Sequence, residues 1–140
     1  MAGVMFSFYD FSALVELNIG LADRLNENRS ESFAVMFYDF SQVIPETVEP
    51  TLSTLLRTSD SLVHFDHSYF VVMPYTDRYG TGVVKNMVDA SFGTNVPAVA
   101  VCYPADGESA LELLEALHAK AKKQFGVDLD CLYSAINKEP

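Results

Sequence analysis

No apolar run in the chain approaches the ~20 residues that a membrane span requires, so no span is expected. Cations are scarce. Nine Lys plus Arg stand against nineteen Asp plus Glu, for a net charge of −10. Proteins gain affinity for a nucleic-acid backbone by clustering cations that release counterions. The single cationic cluster here, Lys120, Lys122 and Lys123, falls at the end of a predicted helix, where it complements the negative helix terminus. A nucleic-acid polymer is therefore not an expected partner, whereas a small anionic ligand needs only one or two local cations. Cysteine is also short. Cys102 and Cys131 lie far apart in apolar surroundings and form neither a disulfide framework nor a metal cluster, which points to buried thiols in a reducing compartment. The start, "MAGVMFSFYDF", lacks the basic stretch and cleavage site of an export signal, so a cytoplasmic location is expected. Linker-like and low-complexity segments are missing too, and 140 residues fit one domain, 1–140, with a core of its own.

What is present alternates helix and strand signals. From Asp10 to Asn26, Leu14, Leu17, Leu21 and Leu25 recur at helical spacing, with Asp10 or Ser12 available as a cap. "SFAVMFYDF" (32–40) is a continuous apolar run of the kind that forms a strand buried on both faces. Pro50 can open a short helix that carries Leu52, Leu55 and Leu56 up to Thr58. A hairpin over 61–66 and 68–73 ends at Pro74, and a helix over 79–92 follows, its start weakened by Gly80 and Gly82. "VPAVAVCYP" (96–104) reads as a second buried strand. The next helix is the best specified: "SALE" (109–112) is a capping box, Ala110, Leu114, Leu117 and Ala121 share a face, and Gly126 stops it. "VDLDCLY" (127–133) alternates like an edge strand, and the N-terminal stretch can add another. The expected fold class is α/β, with a central, mixed but mainly antiparallel sheet flanked by helices. One pentapeptide, "FYDFS", occurs twice, at 8–12 and 37–41, without wider repetition.

Chemistry-bearing patterns are few. There is no nucleophile-elbow string, Walker loop or paired-cysteine motif, and Ser68 has no identifiable base and orienting acid. His64 and His67 with Asp66 could be read as metal ligands, but histidines at a hairpin tip are usually just solvated, and no metal or other cofactor is expected. The tip itself, "FDHSY", poses a question, because it contains no glycine.

Three strings in order answer it. "LLRTSDSLVHFDHSYFVVMPYTD" resembles the segment "LRxxDxxxRxGGDEFxxxLPxT" of diguanylate cyclase (GGDEF) domains. "FAVMFYDFSQV" resembles their first core strand, which ends "DxDxF", and "PAVAVCYPADGESALELLEALHAKAKKQFG" resembles their later strand and helix. The likeness covers residues 32–126 and implies a mixed sheet flanked by helices, as expected above. In active members the hairpin tip is Gly-Gly-Asp-Glu-Phe. Its glycines admit nucleotide phosphates and its acids serve the metal. The matching positions here are Asp66, His67, Ser68, Tyr69 and Phe70, of which only the Phe is kept. Asp39 matches the first metal Asp, but the second falls on Ser41 and the hairpin acid on Ser68. The 40–56 connection is also too short for the family's guanine- and ribose-binding segment. The resemblance thus implies a degenerate domain that is not an enzyme.

In the same family an "RxxD" shortly before the hairpin is the inhibitory site for the product, cyclic di-GMP. "RTSD" brings Arg57 and Asp60 to the matching offset. An Arg fork can hydrogen-bond guanine N7 and O6 or a phosphate, and Asp can accept from guanine N–H groups. The resemblance implies a receptor or signalling module that binds cyclic di-GMP through Arg57 and Asp60, with Arg78 and Lys85 as further cations by rough position. A surface ion pair is the competing reading of the motif. A protein partner or homodimer, bound without any nucleotide, is the competing function.

Overall fold

The structure, a computed structural model, describes residues 3–25 and 32–136. Asn26, the expected end of the first helix, and the first two residues of the N-terminal stretch lie outside the described residues. Five strands form one sheet in the order β1-β3-β4-β2-β5: β1 (Val4–Met5), β2 (Phe33–Asp39), β3 (Ser61–Phe65), β4 (Ser68–Pro74) and β5 (Ala98–Tyr103). All pairings are antiparallel except β1 with β3. Four longer helices flank the sheet: α1 (Phe11–Leu25), α2 (Pro45–Leu55), α3 (Arg78–Phe92) and α4 (Ala110–Phe125), with a short α5 (Cys131–Ile136) after them. The path β2-α2-β3-β4-α3-β5 is a split βαβ arrangement, with β4 and β2 central.

Strand β2 shows why the sheet needs helices on both sides. Its alternate residues Phe33, Val35 and Phe37 join a core with α1, α4 and α5, whereas Ala34, Met36 and Tyr38 join a second core with α2 and α3. Paired on both edges and covered on both faces, β2 has no place for a polar residue before Asp39. Burial, together with the charge of Asp89, pushes the Tyr38 phenol well above its ordinary range. The outer edge of β5 is covered by side chains. Cys102 N–H donates to Asp106 at 2.8 Å and Lys120 Nζ donates to the Ala100 carbonyl at 2.8 Å, which hinders edge-to-edge pairing with another chain.

Four expectations are corrected. Helix α2 opens at Pro45, not at Pro50, and ends at Leu55, because Pro45 suits the first helical position and Val48 extends the buried stripe Val48, Leu52, Leu56 back by a turn. Pro50 sits inside the helix, where it removes one backbone bond. Helix α1 is rotated from the Leu-rich face: Phe11, Leu14, Val15 and Ala22 are buried, while Leu17 and Leu21 are exposed. Neither Asp10 nor Ser12 starts it. A 3-10 turn over Phe8–Asp10, capped by Ser7, feeds directly into it. Residues 127–133 are not an edge strand. Leu129 and Leu132, three apart, are both buried, which suits the turn into α5 and not a period of two.

Other elements form as expected. Ser109 Oγ accepts from Glu112 N–H at 3.1 Å, Glu112 reaches back to Glu108 N–H at 2.8 Å, and Gly126 ends α4 at φ 67°. Strand β1 does add to the sheet. The hairpin closes with Phe65 opposite Ser68, leaving Asp66 and His67 as the turn. Asp66 takes φ 53° itself, a conformation that Asp tolerates better than most residues. In a urea titration we expect Asp66→Gly to shift stability by less than about 0.5 kcal/mol. Asp66→Val should cost about 1–2 kcal/mol, since a β-branched residue is disfavoured there. Equal midpoints for the two variants would show that the turn does not depend on this angle.

Candidate ligand site around Arg57

Residues 57–60 form a closed turn between α2 and β3. Asp60 N–H donates to the Arg57 carbonyl at 2.9 Å, and the Asp60 carboxylate accepts from Arg57 N–H at 2.8 Å. The side chains then pair. Arg57 Nη2 lies 3.0 Å from Asp60 Oδ1, and Nε lies 3.4 Å from Oδ2. Two further acceptors come from the end of β4 and the loop after it, the Pro74 carbonyl at 2.9 Å and Thr76 Oγ1 at 3.1 Å, both to Nη2. The guanidinium is thus held by three residues through Nε and Nη2. Asp60 is only 3% exposed, whereas the Arg57 side chain is 54% exposed. The structure brings the two expected site residues together but divides their work: both carboxylate oxygens of Asp60 are engaged by Arg57, whereas the arginine keeps Nη1 unengaged among the described residues.

Arg57 and Asp60 line a cavity of about 520 Å³ together with Leu55, Tyr75, Thr76, Asp77, Val83 and Met87, among others. Asp77 caps α3 by accepting from Gly80 N–H at 2.9 Å, and the helix starts tight against the loop. A Cβ on Gly80 would stand 2.9 Å from the Thr76 methyl, so the glycine that weakens the helix start also permits this approach. Neither cation proposed by position lines the cavity. Lys85 is engaged by Asp89 at 2.5 Å and Asn95 at 2.7 Å, and Arg78 lies 3.8 Å from Asp106.

The positions compared with metal acids also come together. Asp39 and Ser68 are cross-strand partners, and Phe40 N–H donates to the His67 carbonyl at 3.0 Å, bringing the end of β2 against the hairpin tip. Asp39 itself accepts from Ser41 N–H at 2.9 Å. A cavity of about 710 Å³ lies beside it. Its lining includes Gln42, Thr47, Thr51, Thr94 and Asn95, and Asp39 is the one charged residue among them.

The tip histidines do not gather ligands with Asp66. His64 stacks on Tyr69 with ring centroids 4.8 Å apart, and its Nδ1 meets the Asp66 carbonyl at 3.2 Å. A cluster that sequence spacing concealed lies elsewhere: His118 of α4 with Asp128 and Asp130 of the following loop. His118 Nε2 lies 2.8 Å from Asp128, whose carboxyl is held below its usual range by that hydrogen bond. Contact with Asp128 pushes Asp130 up. The group faces a separate cavity of about 480 Å³. The separation of ten positions between His118 and Asp128 follows no ligand spacing, so only the α4–α5 turn unites them. Among the described residues, no helix is long and apolar enough to cross a membrane.

Compared with protein-family models and with curated proteins, the chain matches none.

Proposed function

We propose that this chain is a catalytically inactive GGDEF-like module that acts as a receptor for cyclic di-GMP, with Arg57 as the contacting residue and Asp60 as its anchor. One observation carries the reading. Arg57 is held through Nε and Nη2 by Asp60, Pro74 and Thr76, while its Nη1 is left unengaged among the described residues and the residue lines a cavity. A guanidinium held in advance loses less conformational entropy when its remaining donor, Nη1, bonds to a guanine acceptor or a phosphate. The split βαβ topology agrees with the sheet that the resemblance implies. Loss of catalysis fits the pairing of Asp39 with Ser68, which leaves one carboxylate where magnesium chemistry needs several oxygen ligands.

Titration calorimetry with cyclic di-GMP tests the reading. Binding in the micromolar range is expected, weakened by about 10- to 100-fold in Arg57→Ala, the loss of charge-assisted hydrogen bonds. No heat at high micromolar ligand, or equal affinity in the variant, would overturn it.

A second reading has its own support. Tyr79, Val83 and Met87, at helical spacing on α3, are all exposed beside the cavity and could dock a protein partner or a second copy. A defined oligomer that does not respond to nucleotide would favour it.

A further inference from the structure

We infer that Tyr75 is a second ligand-contacting residue of the Arg57 cavity, its ring being the platform on which the base of a purine nucleotide stacks while Arg57 takes the phosphate or the acceptor edge of the base. The inference rests on the Arg57 reading for its cation, but not on the nucleotide being cyclic di-GMP.

The starting point is a conflict between backbone and side chain. Tyr75 has φ 55°, and for a bulky residue that left-handed conformation is an outlier, commonly found at ligand sites and switches. Were the loop shaped only to join β4 to α3, glycine would serve better at this angle. The ring does not compensate by joining the core, because Tyr75 is 64% exposed. It lines the same cavity as Arg57. A large aromatic side chain is thus held at an unfavourable angle and turned outward beside a guanidinium.

The same guanidinium holds it there. Arg57 Nη2 donates to the Pro74 carbonyl on one side of Tyr75 and to Thr76 Oγ1 on the other, and Thr76 Oγ1 also donates back to the Pro74 carbonyl at 3.0 Å. These bonds bracket the residue and fix the loop on both sides. The remaining walls suit a flat, partly apolar group: Val83 and Met87 of α3 line one side, with no Lys among the lining residues. One cation, one exposed ring and an apolar wall, beside the carboxylates of Asp60 and Asp77 that Arg57 and Gly80 N–H engage, match a base carrying a single phosphate better than a bare polyanion, which would need more positive charge. Every base has a π-face, so stacking chooses aromatic planarity and Arg57 supplies the preference for an acceptor edge.

The chain contains no tryptophan, so Tyr75→Trp installs a single reporter at the platform. Its emission should be quenched saturably by cyclic di-GMP and by GMP, and left unchanged by ribose 5-phosphate, which carries the anion without the base. By calorimetry, Tyr75→Phe should keep affinity within about threefold, and Tyr75→Gly should lower it roughly tenfold, as expected for losing a base–aromatic stack. Thermal melting separates this from unfolding, because Tyr75→Gly should melt at or above the wild-type temperature. Quenching by GMP but not by cyclic di-GMP would keep the platform and discard cyclic di-GMP as the ligand. Cyclic di-GMP binding that is lost in Arg57→Ala but unchanged in Tyr75→Gly would overturn the platform and leave the Arg57 reading standing. No quenching by either nucleotide up to millimolar concentrations would overturn the platform.

Discussion

Phe70→Ala is expected to destabilise the fold by about 3–5 kcal/mol, the usual cost of deleting a fully buried ring and leaving a cavity. Phe70 is wholly inaccessible, and its ring packs against Phe11, Phe37 and Phe8 with centroids 4.9, 5.6 and 5.8 Å apart. These partners come from α1, β2 and the turn before α1, so the lost contacts span both sides of the first core. Domains of this kind have about 5–15 kcal/mol in total. Guanidinium denaturation should therefore show a large fall in midpoint, and a loss below about 1 kcal/mol would contradict the packing described. Phe70→Leu, which keeps much of the volume, should recover most of the difference. The effect would also show that Phe70, the one tip position that agrees with the string Gly-Gly-Asp-Glu-Phe, has its role in the core.

Asp60→Ala should cost about 2–3 kcal/mol and, on the function proposed above, weaken ligand binding by releasing Arg57. The carboxylate accepts from the Arg57 backbone N–H, Nε and Nη2, and hydrogen bonds to charged groups are worth about 1.5–3 kcal/mol each before exposure of the partner is allowed for. Because Arg57 is half exposed, the Coulomb part is screened, and the three bonds together are held to about the value of one counted in full. Asp60→Asn should lose roughly half as much, since one side-chain oxygen can still accept from the backbone. Chemical denaturation together with calorimetry on the same variants checks both effects. Unchanged stability in Asp60→Ala would reduce the pair to a surface contact, and full affinity in that variant would show that Arg57 needs no anchor.

The candidate site was half legible in the sequence. Arg57 and Asp60 stand three residues apart, so a single turn brings them together, and the motif could be read directly. Pro74, Tyr75 and Thr76 lie 17 to 19 residues beyond Arg57 and reach it only because β3 and β4 fold back as a hairpin. No local pattern signals that. The motif also could not reveal that Asp60 is saturated by Arg57, because saturation depends on burial. Tyr75 was hidden most completely, since nothing in "MPYTD" marks a left-handed tyrosine.

The elements follow the same division. Capping chemistry is local, so "SALE" and Gly126 located α4 from their own side chains. Helix faces are not local: Leu17 and Leu21 had the right spacing but point outward, because the core accepted Phe11, Val15 and Ala22 instead. The pentapeptide "FYDFS" makes the point most sharply. At 8–12 it forms a 3-10 turn entering a helix, while at 37–41 it ends a central strand. The five side chains are identical, so the difference lies in what surrounds them. The second copy is paired by β4 and β5 on both edges, and the first has no such neighbours. Periodicity, caps and charge thus determined the class of fold, and the three-residue spacing put Arg57 and Asp60 in one turn. Tertiary pairing and burial alone decided which faces turn inward, which residue anchors the arginine and which ring stands beside it, since those outcomes depend on contacts between distant segments.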